Sequence, residues 1–266
     1  MRKVEINDRV FDSYICKYYT IDTDFYNSIL NNYLWFSDPN DFNDPYDVNP
    51  IFELPNYKED DLNILAEIID KKGYLNGKTY NEIVKYYSNP DNLKKALKDF
   101  RDKFVPNIGI CCFSQTEDIL LMWSHYANKH KGICLKFDMD KDEPFFKIPI
   151  KVDYLEKPPS FDFIHNRENV GKTAQLFVGT KSIDWKYENE IRIVKYKQAF
   201  DSFRGKINFN KSSLIEMIFG YKIEKQTITN LMTLMKGIGY DCSFSRVNLK
   251  KNEFGLEKII INQNTF

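Results

Sequence analysis

The sequence predicts an α+β fold, in which a mainly antiparallel sheet has flanking helices and a helical insertion. Three observations predict this class. Short segments rich in β-branched and aromatic residues recur along the chain, bounded by turn-forming residues. Regular helices do not alternate with these segments, as they would in a doubly wound parallel sheet. Apolar residues at helical spacing are concentrated between about residues 57 and 104.

Each element follows from its local pattern. The strand-like segments are residues 14–19, 34–37, 108–113, 132–137, 148–154, 190–196, 215–219, 242–247 and 258–262. Helical spacing is found at residues 24–31, in two or three stretches between 57 and 104, and around 119–126 and 225–236. Thr23 or Asp24 is the expected cap of the first helix, and Gly73 and Pro90 interrupt the helical segment. Two prolines and six Asn or Asp residues between Asp38 and Asp47 predict an ordered loop.

Length and charge limit the possible functions. The 266 residues are enough to bury a sizeable core, and no repeat or linker-like stretch marks a boundary. We therefore predict a single domain over residues 1–266, with the helical insertion at about residues 57–104. Lys and Arg together number 38, as do Asp and Glu, so the formal net charge is 0. This balance argues against an extended nucleic-acid track and against binding to an anionic membrane.

The cysteines indicate a reducing compartment. They are Cys16, Cys111, Cys112, Cys134 and Cys242, an odd number without Cys-x-x-Cys spacing. We interpret them as small buried hydrophobes rather than as a zinc or redox site. The N-terminal segment is polar where a secretory signal would be apolar, and no apolar run reaches membrane-spanning length. We expect a cytoplasmic protein that does not cross a membrane.

The segment from Trp185 to Ile193 carries the first candidate chemistry. Read as a strand, it places Trp185, Tyr187, Ile191 and Ile193 on one face and Glu188, Glu190 and Arg192 on the other. Two carboxylates two residues apart on a strand can both reach one ligand, one orienting a hydroxyl and the other stabilising positive charge. The alternative is a half-exposed strand whose polar face meets water, with Arg192 in a weak surface ion pair. On this segment alone, the alternative is favoured.

The Asn43-Asp44-Pro45 loop is the second candidate. Asn and Asp side chains stabilise turns and Pro45 keeps the backbone extended, so the loop can be a rigid connector. Ordered polar loops on a rigid frame are also common binding elements. Both interpretations stay open.

The helical stretch Met122-Trp123-Ser124-His125-Tyr126-Ala127 is the third candidate. Trp123 and Tyr126 are three residues apart and share a helix face, which favours packing in the core, while His125 points elsewhere as a general base or a structural histidine. His125, His130 and His165 lack the spacing of a local metal motif, so no metal site is predicted.

Together these segments resemble a bacterial group known as domain-of-unknown-function family 2971. The resembling segments, in the family's order, are Lys17-Tyr18-Tyr19, Leu34-Trp35-Phe36-Ser37-Asp38-Pro39, Phe42-Asn43-Asp44-Pro45, Cys112-Phe113-Ser114, Met122 to Ala127, Lys131-Gly132-Ile133-Cys134 and Trp185 to Arg192. They span nearly the whole chain, apart from the helical segment between Tyr57 and Phe104. The family carries no settled activity.

A second resemblance bears on the chemistry. The aromatic opening strand, the helix after it, the strand ending in Ser37 and the late Glu188-Asn189-Glu190 are similar to ordered parts of NAD-consuming ADP-ribosyltransferases. In those enzymes an early Arg or His-Tyr segment and a middle Ser or Tyr hold NAD, and a late Glu, often in Glu-x-Glu, is catalytic. The resemblance implies that Glu190 is the catalytic carboxylate and Glu188 the earlier acid. At the first motif this chain has Lys17-Tyr18-Tyr19, with neither Arg nor His.

The implied function is that of an NAD-dependent ADP-ribosyltransferase-like effector of the toxin or phage-defence type, which transfers ADP-ribose to a protein or nucleic acid. Cleavage of the nicotinamide–ribose bond passes through an oxocarbenium-like sugar, which a fixed carboxylate stabilises. The candidate NAD-contacting residues are Lys17, Tyr18, Ser37, Asn43, Asp44, Trp123, His125 and Tyr126. Two alternatives stay open. One is a metal-dependent nuclease or other hydrolase that uses Asp41, Asp44, Asp47 and Glu190, and the other is a non-catalytic binding module.

Overall fold

The computed structural model of the protein describes residues 3–6, 9–49, 54–157, 159, 162, 164–165, 170–197, 199 and 201–261. The chain forms two compact units. The first comprises Met1–Asp38, Ile108–Val152 and Asp184–Phe266, and the second comprises Pro39–Asn107 and Asp153–Ile183.

The elements alternate irregularly along the chain. The helices are α1 (Thr23–Leu30), α2 (Glu59–Lys71), α3 (Tyr80–Tyr87), α4 (Pro90–Phe104), α5 (Leu120–Tyr126), α6 (Val170–Val178) and α7 (Lys225–Gly237). The strands are β1 (Lys3–Ile6), β2 (Arg9–Asp12), β3 (Tyr14–Tyr19), β4 (Tyr33–Phe36), β5 (Ile108–Ser114), β6 (Ile133–Asp138), β7 (Pro149–Lys151), β8 (Asp153–Leu155), β9 (Thr180–Ser182), β10 (Glu190–Tyr196), β11 (Gly205–Asn208), β12 (Leu214–Phe219), β13 (Ser243–Leu249) and β14 (Leu256–Ile260).

The first unit is built on one large sheet. Among the described residues it has eight strands, in the order β14-β13-β12-β6-β3-β5-β10-β7. Neighbouring strands are antiparallel except β12 and β13, which are parallel. A two-stranded ribbon of β4 and β11 joins this unit through the backbone pair of Ser37 with Ile110. The predicted α+β class with a mainly antiparallel sheet is confirmed.

The two faces of the large sheet bury different sets of residues because side chains alternate along each strand. On one face, which we call the α1/α7 face, Ile15, Phe113 and Ile191 pack in one cluster with the apolar sides of α1 and α7. On the opposite face, which we call the α5 face, Cys16 and Tyr18 pack with Met122 and Trp123 of α5. Residues on adjacent positions of a strand therefore belong to different environments.

A tight turn after α5 brings the chain back into the sheet. Asn128, Lys129 and His130 have positive φ angles of 45°, 54° and 71°. Gly132 follows, and a Cβ atom there would lie 2.2 Å from the carbonyl oxygen of Tyr19. The close approach of β6 to β3 therefore requires glycine at this position.

The second unit contains the predicted helices between residues 57 and 104. Leu62, Leu65, Ile69, Ile83 and Leu93 form its described apolar cluster. The breaks near Gly73 and Pro90 are confirmed, since α2 ends at Lys71 and Pro90 begins α4. Here β8 and β9 pair in parallel.

Some boundaries differ from the prediction. The cap of α1 is Asp22, whose carboxylate accepts a hydrogen bond from the amide of Phe25, so the expected cap at Thr23 or Asp24 is wrong. The single strand predicted over residues 148–154 is wrong, because the backbone changes partners there. The amide of Val152 donates to the carbonyl of Glu190, and that of Asp153 to the carbonyl of Gly179, which separates β7 from β8.

Among the helices that the structure describes, none combines the length and the apolar character needed to cross a membrane.

Candidate active site

Strand β10 positions the central pair of charged residues. Ile191 and Ile193 belong to the cluster on the α1/α7 face, so alternation places Glu190 and Arg192 on the α5 face. The strand is paired on both sides, with β5 and with β7. Neither charged side chain is therefore at a sheet edge.

Glu190 and Arg192 form a buried two-point ion pair. Arg192 donates from Nε to Glu190 Oε1 at 2.9 Å and from Nη2 to Glu190 Oε2 at 3.0 Å. Glu190 is 4 % exposed and Arg192 is 0 % exposed. The interpretation of this strand as a half-exposed one with a weak surface ion pair is thus wrong. The guanidinium is permanently charged and its planar fork fixes the carboxylate plane.

Glu188 lies on a different kind of backbone. Residues Ile183–Glu188 form a 3-10 helix and Asn189 has a φ angle of 46°, so the strand predicted from Trp185 onward is wrong over this stretch. The backbone here is held by Ser114, whose hydroxyl donates to the carbonyl oxygen of Glu188 at 2.8 Å. Glu188 is nevertheless buried, with 4 % exposure.

Tyr126 binds the Glu188 carboxylate. Its hydroxyl donates to Glu188 Oε1 at 2.6 Å. Burial, together with this carboxylate, raises the pKa of Tyr126 above its ordinary value, so the phenol stays protonated and remains a donor. Tyr126 is 37 % exposed, so its side chain extends from the buried Glu188 carboxylate to the protein surface.

The exposed His125 and the partly buried Tyr187 form an aromatic pair next to these groups in the chain. His125 Nδ1 lies 3.1 Å from the Tyr187 hydroxyl, and the rings meet edge to face with centroids 5.7 Å apart. His125 also contacts the ring of Tyr126, with centroids 6.3 Å apart. A cluster of three rings, of which His125 and Tyr126 are exposed, therefore stands beside the buried Glu188.

Cys112 extends the site along β5. It is paired in register with Arg192, as Ser114 is with Glu190. Burial, and then the Glu190 carboxylate, raise the pKa of the Cys112 thiol well above its ordinary value. The thiol is therefore kept neutral beside the ion pair and is no activated nucleophile.

The predicted ring contacts on the α5 face are engaged in packing. Trp123 is fully buried and donates from Nε1 to the carbonyl of Glu117 at 2.7 Å. Tyr18 meets Trp123 edge to face at 5.3 Å and donates its hydroxyl to the carbonyl of Thr116. Both rings are part of the core beneath α5, which agrees with the packing role favoured for Trp123.

Lys17 and Ser37 are not brought to the carboxylates by their side-chain contacts. Lys17 alternates with Tyr18 and therefore lies on the α1/α7 face, where its Nζ sits 5.4 Å from the ring centroid of Phe113. It donates to the backbone oxygen of Cys112 at 2.9 Å. Ser37 pairs through its backbone with Ile110. The structure thus places Lys17 opposite Glu190 across the sheet.

The Asn43-Asp44-Pro45 loop belongs to the second unit. Asn43 is exposed, whereas Asp44 is buried and its Oδ1 accepts from the amide of Tyr46 at 2.9 Å. Its Oδ2 is buried without a hydrogen-bond partner among the described residues. Asp47 pairs with Lys181 at 3.5 Å in the same unit. The loop is ordered and turn-rich, as predicted.

Within the described ranges, no three His, Cys, Asp or Glu side chains form a group that could hold a metal ion.

Sequence reasoning missed the roles of three residues. They are the hydrogen bond by which Ser114 holds the turn at Glu188, the position of Cys112 beside the ion pair, and the burial of Arg192. The alternation that predicted Glu190 and Arg192 on one face was the available signal for their contact, but alternation does not tell which face is covered.

These features define an α+β protein with two buried, differently held carboxylates at the start of β10. The model of a family described as "Protein of unknown function (DUF2971)" matches residues 122–193, the stretch from α5 through the Glu190–Arg192 pair. This match confirms the family resemblance predicted from the sequence. Comparisons with curated proteins and with solved structures each give no match.

Proposed function

We propose that the protein is an NAD-cleaving, ADP-ribosyltransferase-like enzyme with Glu190 as its catalytic carboxylate. The observation that carries the proposal is the fixed orientation of the buried Glu190 by two hydrogen bonds from Arg192. A carboxylate that is already desolvated and oriented needs little reorganisation when positive charge develops nearby, and such groups contribute most to electrostatic catalysis.

The proposed reaction proceeds at the ribose carbon that bears nicotinamide. The glycosidic bond breaks, its electron pair leaves with the nicotinamide nitrogen, and the sugar becomes oxocarbenium-like. Glu190 binds a ribose hydroxyl and stabilises this cation. A hydroxyl or other nucleophile of the acceptor then bonds to the same carbon and releases its proton.

Other residues of the site have matching roles in this proposal. Glu188, held by Tyr126, orients the incoming acceptor, and it lies next to the surface as an acceptor-binding group must. Tyr126 contacts Glu188, and His125 contacts both Tyr126 and the partly buried Tyr187, so these three rings replace Tyr18 and Trp123 as partners for the nicotinamide ring. Lys17 has no part in this arrangement, since it lies on the α1/α7 face.

The biological setting belongs to the same proposal. We propose an effector of the toxin or phage-defence type that acts in the cytoplasm and modifies a protein or a nucleic acid. In the second unit, Asp44 Oδ2 is buried without a hydrogen-bond partner among the described residues, and it is a further acceptor that a polar ligand could satisfy.

The test is nicotinamide release from NAD by the purified protein, with and without a cell extract as a source of acceptors. We expect Glu190→Gln to lower the rate by about 100-fold or more, the scale found when one preorganised electrostatic group is removed. Glu224→Gln is the matched control, because Glu224 is exposed at the cap of α7 and makes no capping hydrogen bond. It should leave the rate unchanged.

A second variant separates catalysis from folding, since Glu190→Gln also removes a charge that pairs with Arg192. Tyr126→Phe removes only the hydroxyl that holds Glu188 and should lower transfer to an acceptor more than hydrolysis of NAD. If the wild-type protein leaves NAD intact with every acceptor source, or if folded Glu190→Gln keeps the full rate, the proposal is wrong.

A further inference from the structure

A separate cleft lies between α1 and the ribbon of β4 and β11. Its volume is about 370 Å³, and it is lined by Tyr19, Asp24, Asn27, Ser28, Tyr33, Trp35 and Lys206. Tyr19 packs against the cluster on the α1/α7 face, so this cleft is on the opposite side of the sheet from Glu190 and Arg192. It therefore belongs to no part of the site described above.

The aromatic wall results from strand alternation. In β4, Leu34 and Phe36 are fully buried in the core, which places Tyr33 and Trp35 on the other face, where Tyr33 is buried and Trp35 is exposed. Trp35 is 55 % exposed, an unusual state for the largest apolar side chain. Opposite Trp35 in the ribbon stands Lys206, whose Nζ lies 5.1 Å from the ring centroid of Tyr33.

The polar wall comes from one side of α1. Asp24, Asn27 and Ser28 are three and four residues apart and so share a helix face. Ser28 is already used, because its hydroxyl donates to the carbonyl of Tyr33 at 2.5 Å. Within the part of the chain that the structure describes, neither the side-chain amide of Asn27 nor the carboxylate of Asp24 makes a hydrogen bond. They remain available to a ligand.

The charges select the kind of ligand. Aromatic rings with one carboxylate would suit an organic cation, but the Lys206 ammonium already stands over the Tyr33 ring and repels a second positive charge. A lysine at the rim instead favours a phosphate, and an exposed indole favours a flat heteroaromatic ring. The side-chain amide of Asn27 offers a donor and an acceptor side by side, the pair that matches the N6 and N7 edge of adenine.

The size of the cleft limits the ligand further. A volume of about 370 Å³ is at the small end of ligand sites, which run from about 300 to 1,000 Å³. It suits one nucleotide rather than a dinucleotide or an oligonucleotide. We infer that this cleft binds a purine mononucleotide, with the base stacked on Trp35, its edge read by Asn27 and its phosphate bound by Lys206.

The experiment is titration calorimetry of the full chain with AMP, adenosine, CMP and choline as probes. We expect AMP to bind more tightly than adenosine or CMP, and choline not to bind. Trp35→Ala should weaken AMP binding by about 5- to 150-fold, the effect of losing one base–aromatic stack. Because Trp35 is exposed, this variant opens no cavity in the core, and its circular dichroism should match that of the wild type.

Lys206→Gln gives an independent readout of the phosphate. It should weaken binding of AMP but leave that of adenosine unchanged. Two matched controls should bind AMP as the wild type does. They are Phe254→Ala, which removes a fully exposed ring, and Lys222→Gln, which removes another lysine that stands over a tyrosine ring.

Three results would overturn the inference. They are no AMP binding at millimolar concentration, equal AMP affinity of Trp35→Ala and the wild type, and binding of choline in preference to AMP. Loss of AMP binding in Glu190→Gln with full binding in Trp35→Ala would also overturn it, by assigning the nucleotide to the other site. The inference does not depend on NAD cleavage, which nicotinamide release tests separately.

Discussion

Replacing Glu190 by Gln tests whether the buried ion pair stabilises the fold, in addition to the proposed role of Glu190 in catalysis. The two charges interact across contacts of 2.9 and 3.0 Å, with 4 % and 0 % exposure. With charge centres about 4 Å apart and an effective dielectric constant of about 20, their attraction is about 4 kcal/mol. Removing one partner of a buried pair typically costs 3–5 kcal/mol because the remaining buried charge loses the attraction of that partner. We expect the Glu190→Gln protein to be destabilised by about that amount.

The measurement is thermal unfolding followed by circular dichroism. At about 2–4 °C per kcal/mol, a loss of 3–5 kcal/mol lowers the melting temperature by roughly 6–20 °C. The Glu190→Gln/Arg192→Met double variant removes both charges, so its loss should be smaller than the sum of the two single losses by about 0.5–3 kcal/mol. Glu224→Gln should melt like the wild type.

Two outcomes would refute this reasoning. A Glu190→Gln variant that melts at the wild-type temperature would mean that Arg192 needs no carboxylate beside it. Strict additivity in the double variant would mean that the two side chains do not stabilise each other, whatever their distance.

Three further predictions concern other parts of the fold. In a melting experiment, Gly132→Ala should lower the free energy of unfolding by about 1–3 kcal/mol or more, because its Cβ would meet the Tyr19 carbonyl at 2.2 Å. Gly237→Ala, whose Cβ would have nothing within 4 Å, should be neutral or slightly stabilising. Burial lowers the pKa of His130 below its ordinary value of about 6.5, so its contribution to stability is present above that pH and is lost as the pH falls below it. His130→Asn, which suits the left-handed backbone there, should flatten a plot of melting temperature against pH between 5 and 7. Thr79→Ala should cost about 0.5–2 kcal/mol of stability in urea unfolding, because Thr79 caps α3; an unchanged midpoint would show that the cap contributes nothing.

Strong local periodicity made much of the fold predictable. Strands β3 and β10 were predicted over the residues at which they occur, because apolar and polar residues alternate there or form a short buried run. The short strands β9 and β11 and helix α6 were missed. Three- and four-residue strands carry too few alternations to stand out, and their pairing is decided by distant partners.

The candidate site was predictable in its residue types more than in its environment. The sequence placed Glu190 and Arg192 together, but the coverage of their face depends on pairing with β5 and β7 on both sides. The turn before Glu190 was missed because Asn189 adopts a left-handed conformation that leaves little trace in hydrophobic spacing. Lys17 was expected near the carboxylates from resemblance, and strand alternation places it on the other face.

Asn189, in its left-handed conformation, separates two acids that are held in different ways, Glu188 and Glu190. Glu190 is fixed to a ladder of backbone bonds, while Glu188 ends a short 3-10 helix and its carbonyl oxygen accepts a hydrogen bond from the Ser114 side chain. Adding or deleting a residue before Asn189 would therefore change the position of Glu188 and leave that of Glu190 unchanged. Under the proposed function, a change in this one turn would alter the group that orients the acceptor and leave the proposed catalytic carboxylate, Glu190, in place.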